Sequence, residues 1–334
     1  MQDVDLQLNN ILNKSNNVLM EIIGMINKSK NIAVIGHIEP DGDTIGAQLA
    51  LYEALKDNKY NIELINEGPY DNKYINMNKK YFKKTIEKDF DLYIIVDTPS
   101  INRIGNSSDK IDFNKTIVID HHITNIKFGK INWIDVDFIS SSEMIYLLLY
   151  KMNKGINNPE VCQNLLNGIV ADNGLFRHIR KNKFFSLYIS YLLIKNGADP
   201  IRSYNIIFGW KSINSKKLLS LALQRLETYG NGKVLWTYIT DQDKKKYNNS
   251  MVDSSSIFNE LMSINGVEIA IFFKVDKNKV DISFRSIDNV DVSSLAQYFG
   301  GGGHIVASGA SLTGRFEEIR INVLKKSLEF TTED

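Results

Sequence analysis

Ile32-Ala33-Val34-Ile35-Gly36-His37-Ile38-Glu39-Pro40-Asp41-Gly42-Asp43 places four apolar residues directly before a loop that carries one histidine and two aspartates. The apolar run reads as a buried strand, and the polar run as the loop at its carboxyl end. Residues 44–56 then follow a helical pattern, with Ile45, Leu49, Leu51 and Leu55 inward, Ala47, Ala50 and Ala54 allowing close approach, and Thr44 predicted as the N-cap. Three later runs repeat the arrangement. Tyr93-Ile94-Ile95-Val96 precedes Asp97, Thr116-Ile117-Val118-Ile119 precedes Asp120-His121-His122, and Gly168-Ile169-Val170-Ala171 precedes Asp172. In an open α/β sheet, ligands bind outside the carboxyl ends of the strands, so residues at such tips can converge from distant parts of the chain.

Outward from this stretch, residues 6–26 show apolar residues near helical spacing, which predicts one or two amphipathic helices. Residues 61–66, 91–96 and 116–119 read as strands, and residues 142–154 and 184–196 as helices, the latter ending near Gly197 with Pro200 beyond. This alternation predicts an α/β fold whose amino-terminal part is a doubly wound, mainly parallel sheet. A Leu- and Lys-rich helix at about 212–229 and the Gly230-Asn231-Gly232 break then suggest a boundary. We expect a catalytic domain over 1–205, a helical linker over 206–229 and a smaller α+β domain over 230–334. In the latter, residues 234–239, 267–275 and 279–285 are expected strands, with a hairpin turn at Asp276-Lys277-Asn278-Lys279 and a closing helix at about 317–328.

The totals exclude several functions. Forty Lys plus Arg against 39 Asp plus Glu leave a net charge of +1, which gives no electrostatic basis for binding long nucleic acid or an anionic membrane. Lys79-Lys80, Lys83-Lys84 and Lys244-Lys245-Lys246 read as solvated faces. The single cysteine, Cys162, removes thiolate metal sites and internal disulfides and suits a reducing cytoplasm. No window reaches the ~18 uninterrupted apolar residues of a membrane span.

Taken singly, an Asp after an apolar run more often caps a helix, and Asp-Gly alone signals a turn. Taken together, the loops are more informative: only five histidines occur in the chain, and His37, His121 and His122 all lie in the two acidic loops. His37, Asp41, Asp43, Asp97, His121 and Asp172 form a sulfur-free set of oxygen and imidazole donors, suited to Mn²⁺, Mg²⁺ or other divalent ions. Six candidate ligands exceed the needs of one catalytic ion that keeps an open position, so two ions are expected, with Asp97 suited to bridge them.

These ordered stretches (His37 to Asp43, Asp97, Asp120-His121-His122, Asp172) resemble the four motifs of the DHH phosphoesterase superfamily. Gly300-Gly301-Gly302-Gly303-His304 with Ala307-Ser308-Gly309 resembles the glycine-rich signature of the DHH-associated carboxyl-terminal domain. By layout the chain is similar to the stand-alone oligoribonuclease and phosphoadenosine-phosphate phosphatase group, and to soluble cyclic-di-AMP and linear di-adenylate phosphodiesterases. The resemblance implies that His37, Asp41 and Asp97 hold one Mn²⁺, and that Asp43, Asp97, His121 and Asp172 hold the other. It implies further that His122 faces the substrate phosphate and assists proton transfer or neutralises developing charge, while Asp120 orients an imidazole. Ala47 stands where many members have serine, and Ala171-Asp172-Asn173-Gly174 replaces a threonine-flanked form of the fourth motif. Neither change removes a ligand.

The backbone N–H groups of Gly301, Gly302 and Gly303 are expected to wrap an anion closely, with His304 as a further donor. Arg285 is a candidate for a bidentate phosphate contact, and Arg177 and His178, shortly after Asp172, are candidates to line the cleft from the first domain. The function expected is that of an Mn²⁺-dependent phosphodiesterase whose two ions activate a hydroxide. Its substrate would be cyclic di-AMP, linear pApA, RNA of about two to five nucleotides, or pAp. A family II-like soluble inorganic pyrophosphatase, a processive single-strand exonuclease and a nucleotide sensor without turnover are the alternatives. The expected partners are a small nucleotide or short oligonucleotide and, as one option, a second copy of the chain.

Overall fold

The computed structural model describes residues 8, 10–56, 59–70, 74, 77, 79–175, 177, 179, 183–209, 211–249, 254–287 and 290–332. It divides into two compact units, Met1–Trp210 and Lys211–Asp334.

In the first unit, six parallel strands, β1 (Asn31–Ile35), β2 (Asn61–Ile65), β3 (Phe82–Lys83), β4 (Leu92–Val96), β5 (Thr116–Asp120) and β6 (Ile131–Ile134), lie in the order β3-β2-β1-β4-β5-β6. The short strands β3 and β6 form the two edges and extend the predicted sheet. Every residue of β4 and β5 is buried, as expected of central parallel strands covered on both faces. The order of connection reverses at β1 and β4, whose carboxyl ends therefore flank a topological switch point.

Alternate residues of the strands feed two cores. Ile32, Val34, Ile94, Val96, Ile117 and Ile119 pack against the helices α1 (Asn16–Lys28), α2 (Gly42–Leu55), α3 (Ser141–Met152), α4 (Pro159–Asn173), α5 (Phe185–Lys195) and α6 (Pro200–Ile207). Ala33, Ile35, Tyr93, Ile95 and Val118 face the other way, onto Ile86, Phe90, Ile104 and Ile111 from irregular segments and short 3₁₀ turns. The second face is thus closed by loop segments, where a doubly wound pattern suggested helices.

The N-cap of α2 is Asp41, whose Oδ1 accepts from the N–H groups of Asp43 (2.9 Å) and Thr44 (3.0 Å), so the Thr44 side chain is free for another role. Helix α2 is buried nearly all round, as a central helix must be. It packs most extensively on α4, and the contact depends on small residues. A Cβ on Gly46 would lie 2.5 Å from the Asn164 carbonyl oxygen, and one on Gly42 would lie 2.6 Å from Ala171 Cβ. The run Gly168 to Ala171 that leads to Asp172 is part of α4, not a strand. Asn158 caps this 15-residue helix, Pro159 starts it, and Gly174 follows it in the left-handed conformation.

In the second unit, β7 (Glu227–Tyr229), β8 (Val234–Thr240), β9 (Ile269–Asp276), β10 (Lys279–Ser286), β11 (Gly302–His304) and β12 (Ala307–Thr313) form a mixed sheet in the order β11-β12-β10-β9-β8-β7. Only β8 and β9 run parallel, and β9 and β10 join through the expected hairpin, with Lys277 at φ 47°. One face packs on α10 (Val292–Tyr298) and α11 (Phe316–Leu328), the other on α7 (Ile213–Gln224) and α9 (Ser254–Leu261). The short α8 (Asp241–Lys246) follows β8 directly. The segment 206–229 is therefore no free linker. Ile206 and Ile207 belong to the first core, whereas Leu218 and Ala222 of α7 are buried in the second.

Candidate metal centre

Strand order brings the predicted ligands together. His37 lies two residues beyond β1, Asp97 directly follows β4, and Asp120 ends β5 with His121 and His122 next to it. Asp41 and Asp43 lie at the start of α2, and Asp172 in the last turn of α4. Donor atoms of His37, Asp41 and Asp97 lie within 4.8 Å of one another, as do those of Asp43, His121 and Asp172, and those of Asp97, Asp120, His121 and His122. Asp97 joins the sets. Its Oδ2 is 3.6 Å from His37 Nε2, and its Oδ1 is 3.4 Å from His121 Nε2, which in turn lies 3.2 Å from Asp172 Oδ2.

Asp97 is 1% exposed and adopts φ 54°, a left-handed conformation that Asp tolerates better than most residues and that turns its carboxylate into the centre. Thr44 Oγ1 donates to Oδ2 at 2.6 Å and Ser141 Oγ donates to Oδ1 at 3.3 Å. Asp43 is fully buried and accepts from two backbone N–H groups at the start of α3, Ser141 at 2.6 Å and Ser142 at 2.9 Å, where the helix dipole favours an anion. Gly168 makes this possible: a Cβ there would collide with Ser142 Oγ and lie 2.7 Å from Asp43 Oδ1. Thr44 and the Ser140-Ser141-Ser142 triplet carry functional contacts that sequence reading did not assign. The triplet does stand before an apolar helical run, and Ser140 is that helix's N-cap.

The imidazoles are set by their second nitrogens. His37 Nδ1–H donates to the Ile38 carbonyl at 2.7 Å, which turns Nε2 toward Asp97, where it carries a proton or would meet a cation. Asp120 is buried and directs His122 rather than His121. Its Oδ1 accepts from His122 Nδ1 at 2.7 Å and from the His121 backbone N–H at 2.8 Å, and Asn125 donates to its Oδ2 at 2.6 Å. The His122 side chain keeps 35% of its surface, so its Nε2 can serve a ligand.

Three observations test whether these donors fit divalent cations. First, His121 Nε2 is buried without a hydrogen-bond partner, although two carboxylates stand near it. Second, the Asp172 carboxyl stands at the carboxyl end of α4, where the helix's own dipole disfavours its ionised form. Third, the protonation equilibria are strongly displaced. Burial and the neighbouring Asp172 and Asp97 carboxylates push Asp43 well up, and burial, with Asp41 and Asp97, pushes Asp172 to about 7. Burial alone would raise Asp97, but the His121 and His37 imidazoles outweigh it and hold this carboxyl well below the usual range. Burial disfavours a charged His37, yet Asp97 and Asp41 raise it to about 9, and Asp172 and Asp97 raise His121 in the same way. Carboxylates crowded in a dry pocket repel one another, and cations relieve that repulsion. The donors of both triads fit divalent cations.

Of the other predicted contacts, Arg177 is exposed beyond the end of α4, and His178 lies outside the described residues. In the second unit, Arg285 on β10 is half-buried. Its guanidinium stacks 4.9 Å over Phe258, its Nη1 donates to the Phe284 carbonyl at 2.9 Å, and among the described residues no carboxylate pairs with it. Gly302, Gly303 and His304 form exposed β11 in a hairpin with β12, so the glycine run is largely strand rather than loop. Close approach to β12 requires glycine just before the strand and within it: a Cβ on Gly301 would meet Ala310 Cα at 2.7 Å, and Gly303 sits at φ 147° with Ser308 Cα 2.5 Å from where a Cβ would be. At Gly302 a Cβ would meet nothing within 4 Å.

Family comparisons agree with this geometry. Residues 31–171 match the DHH family, N-terminal domain, and residues 213–330 match the DHHA1 domain. The chain belongs to the DHH family, in its two-domain DHH–DHHA1 form. It is 28% identical to the bifunctional oligoribonuclease and PAP phosphatase NrnA of Bacillus subtilis (strain 168), across 90% of this chain and 95% of that protein. It is also 28% identical to the protein of the same name from Mycoplasma genitalium, across 89% and 93%. The crystal structure of an exopolyphosphatase-related protein from Bacteroides fragilis shares the fold, with a TM-score of 0.84 at 24% identity over 94% of this chain and 96% of that one.

Proposed function

We propose that this DHH-family hydrolase of phosphoester bonds is a two-ion phosphodiesterase that cleaves cyclic di-AMP, linear pApA, pAp or RNA of about two to five nucleotides to mononucleotides. The observation that carries the reading is the pair of ligand triads joined through the buried Asp97 carboxylate. His37, Asp41 and Asp97 would hold one cation, and Asp43, Asp97, His121 and Asp172 the other, with Mn²⁺ favoured by the mixed carboxylate and imidazole donors. When bound, the two ions place positive charge on the phosphoryl oxygens and acidify a water. Thr44 and Ser141 hold the shared carboxylate in orientation, and the start of α3 holds Asp43. His122, anchored on Asp120, is raised toward its protonated form because Asp120 and Asp97 outweigh its burial, so its Nε2 can donate a proton to a phosphoryl or leaving oxygen.

In the second domain, Arg285 and the Gly301–His304 backbone are proposed contacts to a second phosphate, supported by the lack of a carboxylate partner for Arg285 among the described residues and the open space at Gly302. A net charge of +1 favours a short substrate, because a long one would call for an extended basic track. The test is to offer the Mn²⁺-loaded protein all four nucleotide substrates and pyrophosphate side by side. Nucleotide turnover that disappears in Asp97→Asn is expected. Turnover of pyrophosphate alone, or an Asp97→Asn protein as active as wild type, would refute the reading.

A further inference from the structure

The DHH ligand set leaves one cation beside it unexplained. Arg103, six positions after Asp97 in the loop beyond β4, has its Nη2 3.1 Å from His37 Nδ1 and 3.2 Å from the Ile38 carbonyl oxygen. Its own backbone carbonyl accepts from Ile38 N–H at 2.8 Å. Guanidinium carries donors only, so it cannot share a hydrogen bond with Nδ1 when that atom bears a proton. Both groups instead donate to the same Ile38 oxygen, which has two lone pairs to offer. Among the described residues no carboxylate competes for Arg103.

The next residue explains why such a clamp is needed. Glu39 has φ 54°, a conformation in which a residue of this type is strained, and its N–H is held by the Gly68 carbonyl at 3.1 Å. Glu39 is therefore kept in a strained conformation while Ile38 and Glu39 are tethered by contacts from both sides, Arg103 on one and Gly68 on the other. Release of the Ile38 peptide would rotate the acceptor that sets the His37 ring, and with it the direction of Nε2. Nothing in this arrangement touches Asp43, His121 or Asp172.

We propose that Arg103 is a positioning residue for His37: by fixing the Ile38 carbonyl it aims His37 Nε2 into the triad with Asp41 and Asp97, and so sets the affinity of that one cation and not of the other. The proposal rests on the two-ion reading above. Partners that orient a metal-bound imidazole are worth about 10–100-fold in metal affinity, and a loss in that range is expected for Arg103→Ala at one of two sites.

The measurement is Mn²⁺ binding by electron paramagnetic resonance of the free ion, with no substrate present. Wild type should bind two ions. Arg103→Ala should bind one with unchanged affinity and the other about 10–100-fold more weakly, and in turnover assays its kcat should recover at saturating Mn²⁺ with KM for the nucleotide unchanged. Arg103→Lys, which keeps a donor, should fall between the two, and it replaces the alanine variant if that one does not fold. In a His37→Asn background Arg103→Ala should weaken the already weakened ion of the Asp41–Asp97 site no further, since a residue acting through His37 has nothing left to act on. Two unchanged ions with a raised KM would mean that Arg103 meets substrate directly, and equal weakening of both ions would mean a general structural role; either overturns the proposal. A wild-type protein that binds no Mn²⁺ would instead refute the two-ion reading itself.

Discussion

Thr44→Val removes one oxygen from the metal centre and almost nothing else. Thr44 is fully buried, and the valine methyl occupies nearly the volume of Oγ1, so the contact between Gly36 and the retained methyl stays filled. What disappears is the 2.6 Å hydrogen bond to Asp97 Oδ2, a length typical of hydroxyl donation to an ionised carboxylate. Hydrogen bonds to charged groups contribute about 1.5–3 kcal/mol. If all of that is expressed in ion binding, affinity falls by about 10–150-fold, since 1.4 kcal/mol is a factor of ten. Because Asp97 is the carboxylate proposed to serve both ions, lying in the triad with His37 and Asp41 and beside His121 of the other, both ions should weaken, unlike the one-ion effect expected of Arg103→Ala. Ser141→Ala removes a 3.3 Å contact to the other oxygen and should cost less. Isothermal titration of metal-free protein with Mn²⁺ reads both constants, and thermal unfolding in chelator checks that the fold is kept. Unchanged affinity for both ions in Thr44→Val would refute the central place given to the Asp97 carboxylate.

In metal-free protein, His37 titrates at about 9 and Asp172 at about 7, both above their ordinary values of 6.5 and 3.8. The fold therefore favours their protonated forms, and the stability they contribute is complete below the ordinary values and lost as pH rises through about 7 and then about 9. The opposite shift of Asp97 acts below 3.8 and does not offset this. Cations replace those protons, so the rise in Tm on adding Mn²⁺ should widen between about pH 5 and about pH 9; a pH-independent rise would contradict the assignment. In the second domain, Gly302→Ala should change stability by no more than about 0.5 kcal/mol yet raise KM for the nucleotide, because only a ligand can need that space. An unchanged KM would remove the glycine strand from the substrate site. Gly303→Ala, at φ 147°, should unfold at lower denaturant than either.

Much of the metal centre could be read in the chain because short-range signals encode it. An apolar run buried on both faces announces a central parallel strand, and a His or Asp placed directly after it must emerge at the carboxyl edge of the sheet. That logic located His37, Asp97, His121 and His122. It misread Asp172, because Gly168-Ile169-Val170-Ala171 is apolar in four successive positions and so short a run does not separate strand from buried helix. Only the upstream Asn158-Pro159 start and the downstream Gly174 mark the helix. Thr44 stands where the helical pattern begins and so reads as a cap, but Asp41 accepts two N–H groups and leaves the hydroxyl to Asp97. Arg103 carries no pattern at all, standing in an irregular loop whose role depends on the neighbouring strand. In the second domain the glycine run suggested a loop, whereas close pairing of β11 and β12 accounts for Gly301 and Gly303 and leaves Gly302 as the informative position.

Residue order alone specifies the donors, the strands that deliver them and the helix starts beside them, since each depends on neighbours within a few positions. Which donors come together is decided at longer range. The reversal of strand order between β1 and β4 sets His37 beside Asp97, and the close crossing of α2 and α4 at Gly42, Gly46 and Gly168 brings Asp172 to Asp43 and His121. These are matters of packing between segments more than fifty residues apart, where the absence of a Cβ at one crossing point decides how near two carboxylates can come.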